Sequence, residues 1–165
     1  MTTTPIRVAL IIVSDRAFSG IRPDKTLPIL RPLFSESSRF ILTGELIIPD
    51  QTEQIRNALA GQCDHADVIF TSGGTGLAQT DRTPEATLSV SDRIVPGISE
   101  FLRRKSEEKT PHAILSRGVA VTRGKSLIIN LPGSPAGAAD CVQWLLPLLP
   151  HAVSQLTGNP DFLHP

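Results

Sequence analysis

Apolar residues come along this chain in short dense runs separated by turn residues. Residues 6–13, Ile-Arg-Val-Ala-Leu-Ile-Ile-Val, are almost all apolar and rich in β-branched side chains. A run of this kind predicts a strand buried on both faces, as in a central parallel sheet. Residues 40–48 and 66–70 predict two more strands, each bounded by polar and turn residues. Between them the apolar positions fall at helical spacing. Asp24 is placed to cap a helix carrying Leu27, Leu30 and Phe34, which Pro28 and Pro32 should leave short or irregular. Asp50-Gln51-Thr52-Glu53 matches a capping box, and Ile55, Ala58 and Leu59 give the following helix its apolar face.

The second half continues the alternation. Thr83 suits an N-cap and Pro84 the first helical position, predicting a helix over 85–90. Residues 92–96 read as a bend. Pro96 or Ser99 opens a helix that passes Phe101 and Leu102 and ends in charge near residue 108. Two β-rich runs, 118–122 and 126–131, flank Arg123-Gly124-Lys125 and predict a hairpin, so the sheet should be mixed. Ser134 and Pro135 start a last helix with Val142, Trp144, Leu145 and Leu148, in which Trp144 reads as core. Pro147 and Pro150 should break it, leaving a turn near 152–156 and a loose polar tail from Gly158. Strand and helix alternating in this way predict an α/β fold with parallel crossovers, mostly parallel with one antiparallel hairpin. No repeat or linker interrupts it, so residues 1–165 are expected to form one domain.

Composition narrows the function. The 165 residues are ample for a packed core. Lys plus Arg and Asp plus Glu balance at 16 each, which gives no electrostatic case for nucleic acid or an anionic membrane. No apolar run approaches the roughly 20 residues of a membrane span, and residues 1–13 do not have the pattern of a signal peptide. Cys63 and Cys141 stand far apart without neighbouring histidines and read as small buried or half-buried thiols, which points to the cytoplasm. His65, His112 and His151 are isolated and read as surface or packing residues.

The candidate chemistry is concentrated in loops. Thr71-Ser72-Gly73-Gly74-Thr75-Gly76 follows the strand at 66–70 and shortly precedes the helix start at Thr83. A glycine-rich turn lets bare backbone N–H groups approach an anion, and phosphate is the natural guest. In a parallel sheet the loops at 14–20, 49–50 and 71–81 reach one edge, where ligands of open α/β sheets bind, and the loop at 130–135 joins them if its strand runs the same way. They carry Asp15, Asp50 and Asp81. Carboxylates beside a phosphate cradle call for a divalent metal, since alone they would repel the phosphates. Nucleotidyl or phosphoryl transfer fits better than hydrolysis by a triad, because no G-x-S-x-G elbow is present. Plainer readings stand beside these: Asp50 as an N-cap, Asp15 and Asp81 as turn residues, Thr83-Pro84-Glu85 and Ser134-Pro135 as ordinary helix starts. Composition and spacing reach an anion-binding α/β domain.

Taken together, six segments resemble the molybdenum cofactor biosynthesis family that includes the bacterial Mog and MoaB proteins and the G domain of gephyrin. They are residues 13–20 (Val-Ser-Asp-Arg-Ala-Phe-Ser-Gly), 48–50 (Ile-Pro-Asp), 71–76, 81–87 (Asp-Arg-Thr-Pro-Glu-Ala-Thr), 114–117 (Ile-Leu-Ser-Arg) and 130–135 (Asn-Leu-Pro-Gly-Ser-Pro). They occur in the family's order and extend to about residue 156. Arg82 departs from the pattern, standing where relatives more often carry valine.

The resemblance implies a three-layer α/β/α molybdopterin-binding fold, a homotrimer or hexamer, and adenylyl transfer from Mg-ATP to molybdopterin with release of pyrophosphate. It implies that Asp50 and Asp81 are catalytic and hold Mg²⁺. Gly73, Gly74, Thr75 and Gly76, with Thr71, would face phosphate, and Ser14 and Asp15 would lie by the adenylate. Ser116, Asn130, Pro132, Gly133 and Ser134 would line the cleft, with Thr83, Pro84 and Glu85 also in the binding set. A molybdate-insertion protein would be the partner for hand-over. Two rivals remain: an inactive pterin carrier or scaffold of the same pathway, and a related enzyme built on this domain. Relatives of the second kind carry further domains, and the intact Asp50 and Asp81 favour catalysis over carriage.

Overall fold

The computed structural model describes residues 4–163. The first strand is β1 (Ile6–Val13), followed by a short helix α1 (Asp15–Phe18) and by α2 (Thr26–Ser35). Next come β2 (Phe40–Ile48), α3 (Thr52–Cys63), β3 (Val68–Ser72) and α4 (Thr83–Ser89). The chain continues through β4 (Arg93–Ile94), α5 (Pro96–Glu107), a 3₁₀ turn at Pro111–Leu115, β5 (Ala120–Arg123) and β6 (Ser126–Leu131). Two helices close it, α6 (Pro135–Leu145) and α7 (Leu149–Thr157), with a final 3₁₀ turn at Pro160–Leu163.

The strands form one sheet in the order β2-β1-β3-β6-β5-β4. β2, β1, β3 and β6 run parallel, while β5 is antiparallel to both β6 and β4. The alternation of side chains along β1 divides the core. Val8, Leu10 and Ile12 face Leu30, Phe34, Leu102, Val142 and Val153, from α2, α5, α6 and α7. Ala9, Ile11 and Val13 face Ile55 and Leu59 of α3 and Ala86 of α4. This is the expected three-layer α/β/α arrangement, with a mostly parallel sheet. At the amino ends of the strands Asp67, 3 % exposed, accepts from the Arg7 backbone N–H at 2.9 Å and from its guanidinium at 2.8 and 3.2 Å. The opposite edge is left to the loops.

Several local expectations change. Residues 92–96 are not a simple bend, because Arg93 and Ile94 pair with Thr122 and Val121 as an edge strand. Pro150 does not break a helix; it sits in the first turn of α7, where its missing N–H has no partner to lose. α2 continues for ten residues with Pro32 inside it. Trp144 is half-buried against the core, with the Lys109 Nζ 5.7 Å from its ring centre. The tail packs against the core as far as it is described, through residue 163, with residues 164–165 outside the described residues: Phe162 is 6 % exposed and belongs to the same core cluster as α6 and α7. Its polar neighbours hid one large apolar anchor. Phe162→Ala is expected to cost about 3 kcal/mol, the scale of a truncated core aromatic, and urea unfolding measures it; a cost below about 0.5 kcal/mol would return the segment to a loose tail.

Candidate functional site

The parallel strands β1, β2, β3 and β6 all end at one edge, so the loops that follow them converge there. The turn after β3 is packed tightly. Gly73 has φ 103°, and a Cβ there would collide with the Val13 carbonyl at the end of β1. Gly74 has φ 66°, and its Cβ would overlap the Thr83 hydroxyl and stand 2.7 Å from Asp50 Oδ2. At Gly76 a Cβ would lie 2.7 Å from Asp81 Oδ2, and one on Gly133 would reach within 3.4 Å of the Gly73 Cα. Glycine is therefore required at Gly73 and Gly74 by close approach as well as by backbone conformation. Both carboxylates lie against the turn.

Asp50 is not a helix cap. The N-cap of α3 is Gln51, which makes no side-chain capping bond. Asp50 Oδ1 instead accepts the Arg82 N–H at 3.0 Å, across 32 residues, and its own N–H donates to Asp15 Oδ1 at 2.9 Å. Asp81 Oδ2 accepts the Ala78 N–H at 3.1 Å. Burial, helped by the charges of Asp81 and Asp15 and partly offset by the Arg82 N–H, leaves the Asp50 carboxyl pushed up to about 6. Arg82 is the N-cap of α4 in place of Thr83, which forms the first helical residue. The Thr83 hydroxyl donates inward to the Gly73 carbonyl at 2.9 Å.

Arg117 is the residue that sequence reasoning left out. Its Nε donates to the Gly76 carbonyl at 2.7 Å and its Nη2 to the Asp81 carbonyl at 3.0 Å, while Nη1 pairs with Glu85. Its backbone N–H donates to the Thr75 carbonyl at 2.9 Å. One guanidinium thus ties together the turn, the segment bearing Asp81 and the first turn of α4. Burial alone would push the Glu85 carboxyl up, but the Arg117 bond and charge outweigh it and the net shift is downward. The only sequence signal was the position of Arg117 in the segment 114–117, because its partners are mostly main-chain carbonyls of distant loops.

Asn130 is likewise fully engaged. Its amide nitrogen donates to the hydroxyls of Thr71 (2.9 Å) and Thr87 (3.0 Å), and its oxygen accepts the Val119 N–H at 3.1 Å. Thr71 and Thr83 are fully buried and Pro84 is buried with them, so these three support the site from behind. Ser14 Oγ caps α1, and Ser134 Oγ accepts the Gly137 N–H at the start of α6. Ser116 Oγ accepts the Gly118 N–H at 3.2 Å.

A largely apolar cleft of about 600 Å³ opens beside the turn. Gly74, Thr75, Gly76, Asp81, Ser116, Asn130, Pro132, Gly133 and Ser134 line it, together with Leu102, Arg103 and Cys141. Burial pushes the Cys141 thiol up to about 11, so it is a packing group at neutral pH. A second pocket of about 220 Å³ lies behind Gly73 and Gly133 and includes Ser14. The arrangement suits two ligands meeting at the glycine turn. Among the described residues no three His, Cys, Asp or Glu side chains are grouped to hold a metal. Asp50 and Asp81 nevertheless both lie against the glycine turn, where two carboxylates fit a cation shared with a ligand.

Residues 9–151 match the family model described as "Probable molybdopterin binding domain". The chain is 38% identical over 157 residues to a molybdopterin adenylyltransferase of Helicobacter pylori, covering 93% of this chain and 89% of that one. It is 40% identical over 142 residues to the molybdopterin adenylyltransferase of Escherichia coli K12, covering 84% and 72%. Among solved structures it is similar to the molybdopterin biosynthesis enzyme MoaB of Thermus thermophilus. That likeness has a TM-score of 0.87 at 46% identity, over 94% of this chain and 98% of the other.

The clamp and the half-buried carboxylate can each be tested. Arg117→Ala should cost about 2 kcal/mol or more, because it leaves the Gly76 and Asp81 carbonyls without their charged donor. Glu85→Gln, which breaks only a half-exposed pair, should cost less than about 1 kcal/mol. Denaturant unfolding of both variants checks the order, and equal costs would disprove the clamp. For Asp50, the folded state disfavours the charged carboxylate. That penalty is complete above pH 6 and is relieved as pH falls through about 6 towards the ordinary value of 3.8. In metal-free buffer Asp50→Asn should therefore melt higher than the wild type at pH 7.5, with the gap closing by pH 4.5. A gap independent of pH would refute it.

Proposed function

Since the chain belongs to the molybdopterin-binding domain family, we propose that it acts as a molybdopterin adenylyltransferase, moving AMP from ATP to the terminal phosphate of molybdopterin. The observation that carries this reading is the contact of Asp50 and Asp81 with one glycine turn between two pockets. A two-substrate transfer needs a place where two phosphates meet, and the turn supplies it. The named activity of relatives at 38 and 40% identity supports the same conclusion.

In this reaction an oxygen of the molybdopterin phosphate attacks the α-phosphorus of ATP. The new P–O bond forms as the bond from that phosphorus to the α,β-bridging oxygen breaks, and pyrophosphate leaves with the electron pair. The nucleophile is already an oxyanion, so the chain needs no strong base. Its work is positioning and charge neutralisation. Gly73, Gly74, Thr75 and Gly76 present backbone to the phosphates, and Arg117 holds that backbone at Gly76 and Asp81. Asp50 and Asp81 would hold Mg²⁺, which when bound offsets the charge of the phosphates. Two carboxylates are what Mg²⁺ commonly takes from a protein when phosphates and water complete its shell. The apolar cleft excludes water from the transfer and suits the ring systems of the substrates.

We place the activity in the cytoplasm, consistent with free Cys63 and Cys141. Among the described residues no helix is long and apolar enough to cross a membrane. The exposed Phe18, Ile21 and Leu77 would be covered in a homotrimer or hexamer, and a molybdate-insertion protein would receive the product. Asp81→Asn should keep the melting temperature and lower turnover by about 100-fold or more, the scale of a lost electrostatic group. Pyrophosphate release from Mg-ATP, with and without molybdopterin, measures it. Wild-type turnover in the mutant would remove Asp81 from the chemistry. Tight molybdopterin binding without any release by the wild type would make the chain a carrier.

A further inference from the structure

Ser99, Leu102, Arg103 and Ser106 follow one another at the spacing of a single helical face, and that face of α5 lines the large cleft. It brings a cation to the wall of a mostly apolar space. Arg103 is half-buried and takes part in none of the ion pairs formed among the described residues. Its Nη1 instead donates to two main-chain carbonyls, of Ser116 at 3.4 Å and of Gly118 at 3.0 Å. Those two residues stand on either side of Arg117, whose guanidinium holds the Gly76 and Asp81 carbonyls. Residues 116–119 belong to no helix or strand, so no regular ladder fixes their course. Among the described residues neither carbonyl has a donor other than Arg103. A charged donor shared by both removes freedom that the segment would otherwise keep.

The two arginines therefore act in series. Arg103 ties α5 to the segment 116–118, and Arg117 ties that segment to the glycine turn and the chain at Asp81. Resting on the transferase reading above, we propose that Arg103 is a positioning residue for adenylyl transfer. By holding the chain on both sides of Arg117 it sets the Arg117 guanidinium on the turn, and through it the backbone that faces the phosphates. Arg103 itself makes no hydrogen bond to Asp50, Asp81 or the turn among the described residues, so its effect passes through main chain. A misplacement of about 1 Å at a reacting centre can cost on the order of 100-fold in rate. The link from α5 limits such a shift. Direct contact with a substrate would leave a different mark. Nε and Nη2 make no hydrogen bond to the protein among the described residues, and a ligand held by them would lose affinity with Arg103, whereas lost positioning falls on turnover.

The Nε–H of Arg117 reports its own placement, since it donates to the Gly76 carbonyl at 2.7 Å. Its hydrogen exchange, followed by NMR in the full chain, should be about 10-fold faster in Arg103→Met, while the amides of β1 keep their protection. A general loss of stability would speed both. In pyrophosphate release from Mg-ATP with molybdopterin, the same variant should lower kcat by about 10-fold or more and leave both KM values within about twofold. Arg103→Lys, which keeps a charged donor, should recover part of the turnover. Adding Arg103→Met to Arg117→Ala should lower kcat no further, because the second residue acts through the first. Unchanged exchange at Arg117 overturns the proposal, as does wild-type kcat in Arg103→Met or a loss confined to the KM for molybdopterin. Faster exchange at Arg117 in a chain that transfers no adenylyl group would uphold the tie between the two arginines and remove the transferase reading.

Discussion

The Val13 carbonyl at the end of β1 and the Cα of Gly73 occupy space that leaves no room for a side chain. The rest of the site depends on that approach. It brings the turn after β3 under the loop after β2, so that Asp50 meets Gly74, and it lets Gly133 from the loop after β6 close against Gly73 from the other side. Three loops from parallel strands then share one centre. Any side chain at Gly73 would push the turn outward and separate the acidic group from the pockets it borders.

A turn so crowded needs its carbonyls satisfied, since backbone groups removed from water without partners are costly. Arg117 and Thr83 do this from two directions, Arg117 through Gly76 and Asp81, Thr83 through Gly73. Behind them, Asn130 ties Thr71 to Thr87 and so joins the end of β3 to α4. A hydrogen-bonded layer lies between the site and the core. Much of what resembles binding machinery in the sequence belongs to this layer, whose polar side chains are occupied with one another.

The electrostatics oppose stability. Asp50 is half-buried near two other aspartates and would ionise more readily in water. The start of α3 does not use that charge, and the bond it accepts from the Arg82 N–H offsets only part of the cost of its burial. A carboxylate kept where it weakens the fold is the usual mark of a site shaped for a ligand or a cation.

Strand periodicity, helix starts and the glycine turn were legible along the chain because each depends on neighbours a few residues away. The apolar run at 6–13, the hairpin around Gly124 and the convergence of loops at one sheet edge all follow from local pattern and parallel topology. What stayed hidden rests on partners distant in sequence. Asp50 read as a capping box because the motif is local, whereas its carboxylate bonds to Arg82, 32 residues on. Arg117 reaches Gly76 across 41 residues and gives no local sign. Phe162 is a single aromatic in a polar tail, and only the packed helices α6 and α7 provide the surface it covers. Local pattern determined the elements and the chemistry of their loops; the tertiary structure decided which side chains face a ligand and which hold the others in place, because burial and long-range hydrogen bonds exist only once the layers have packed.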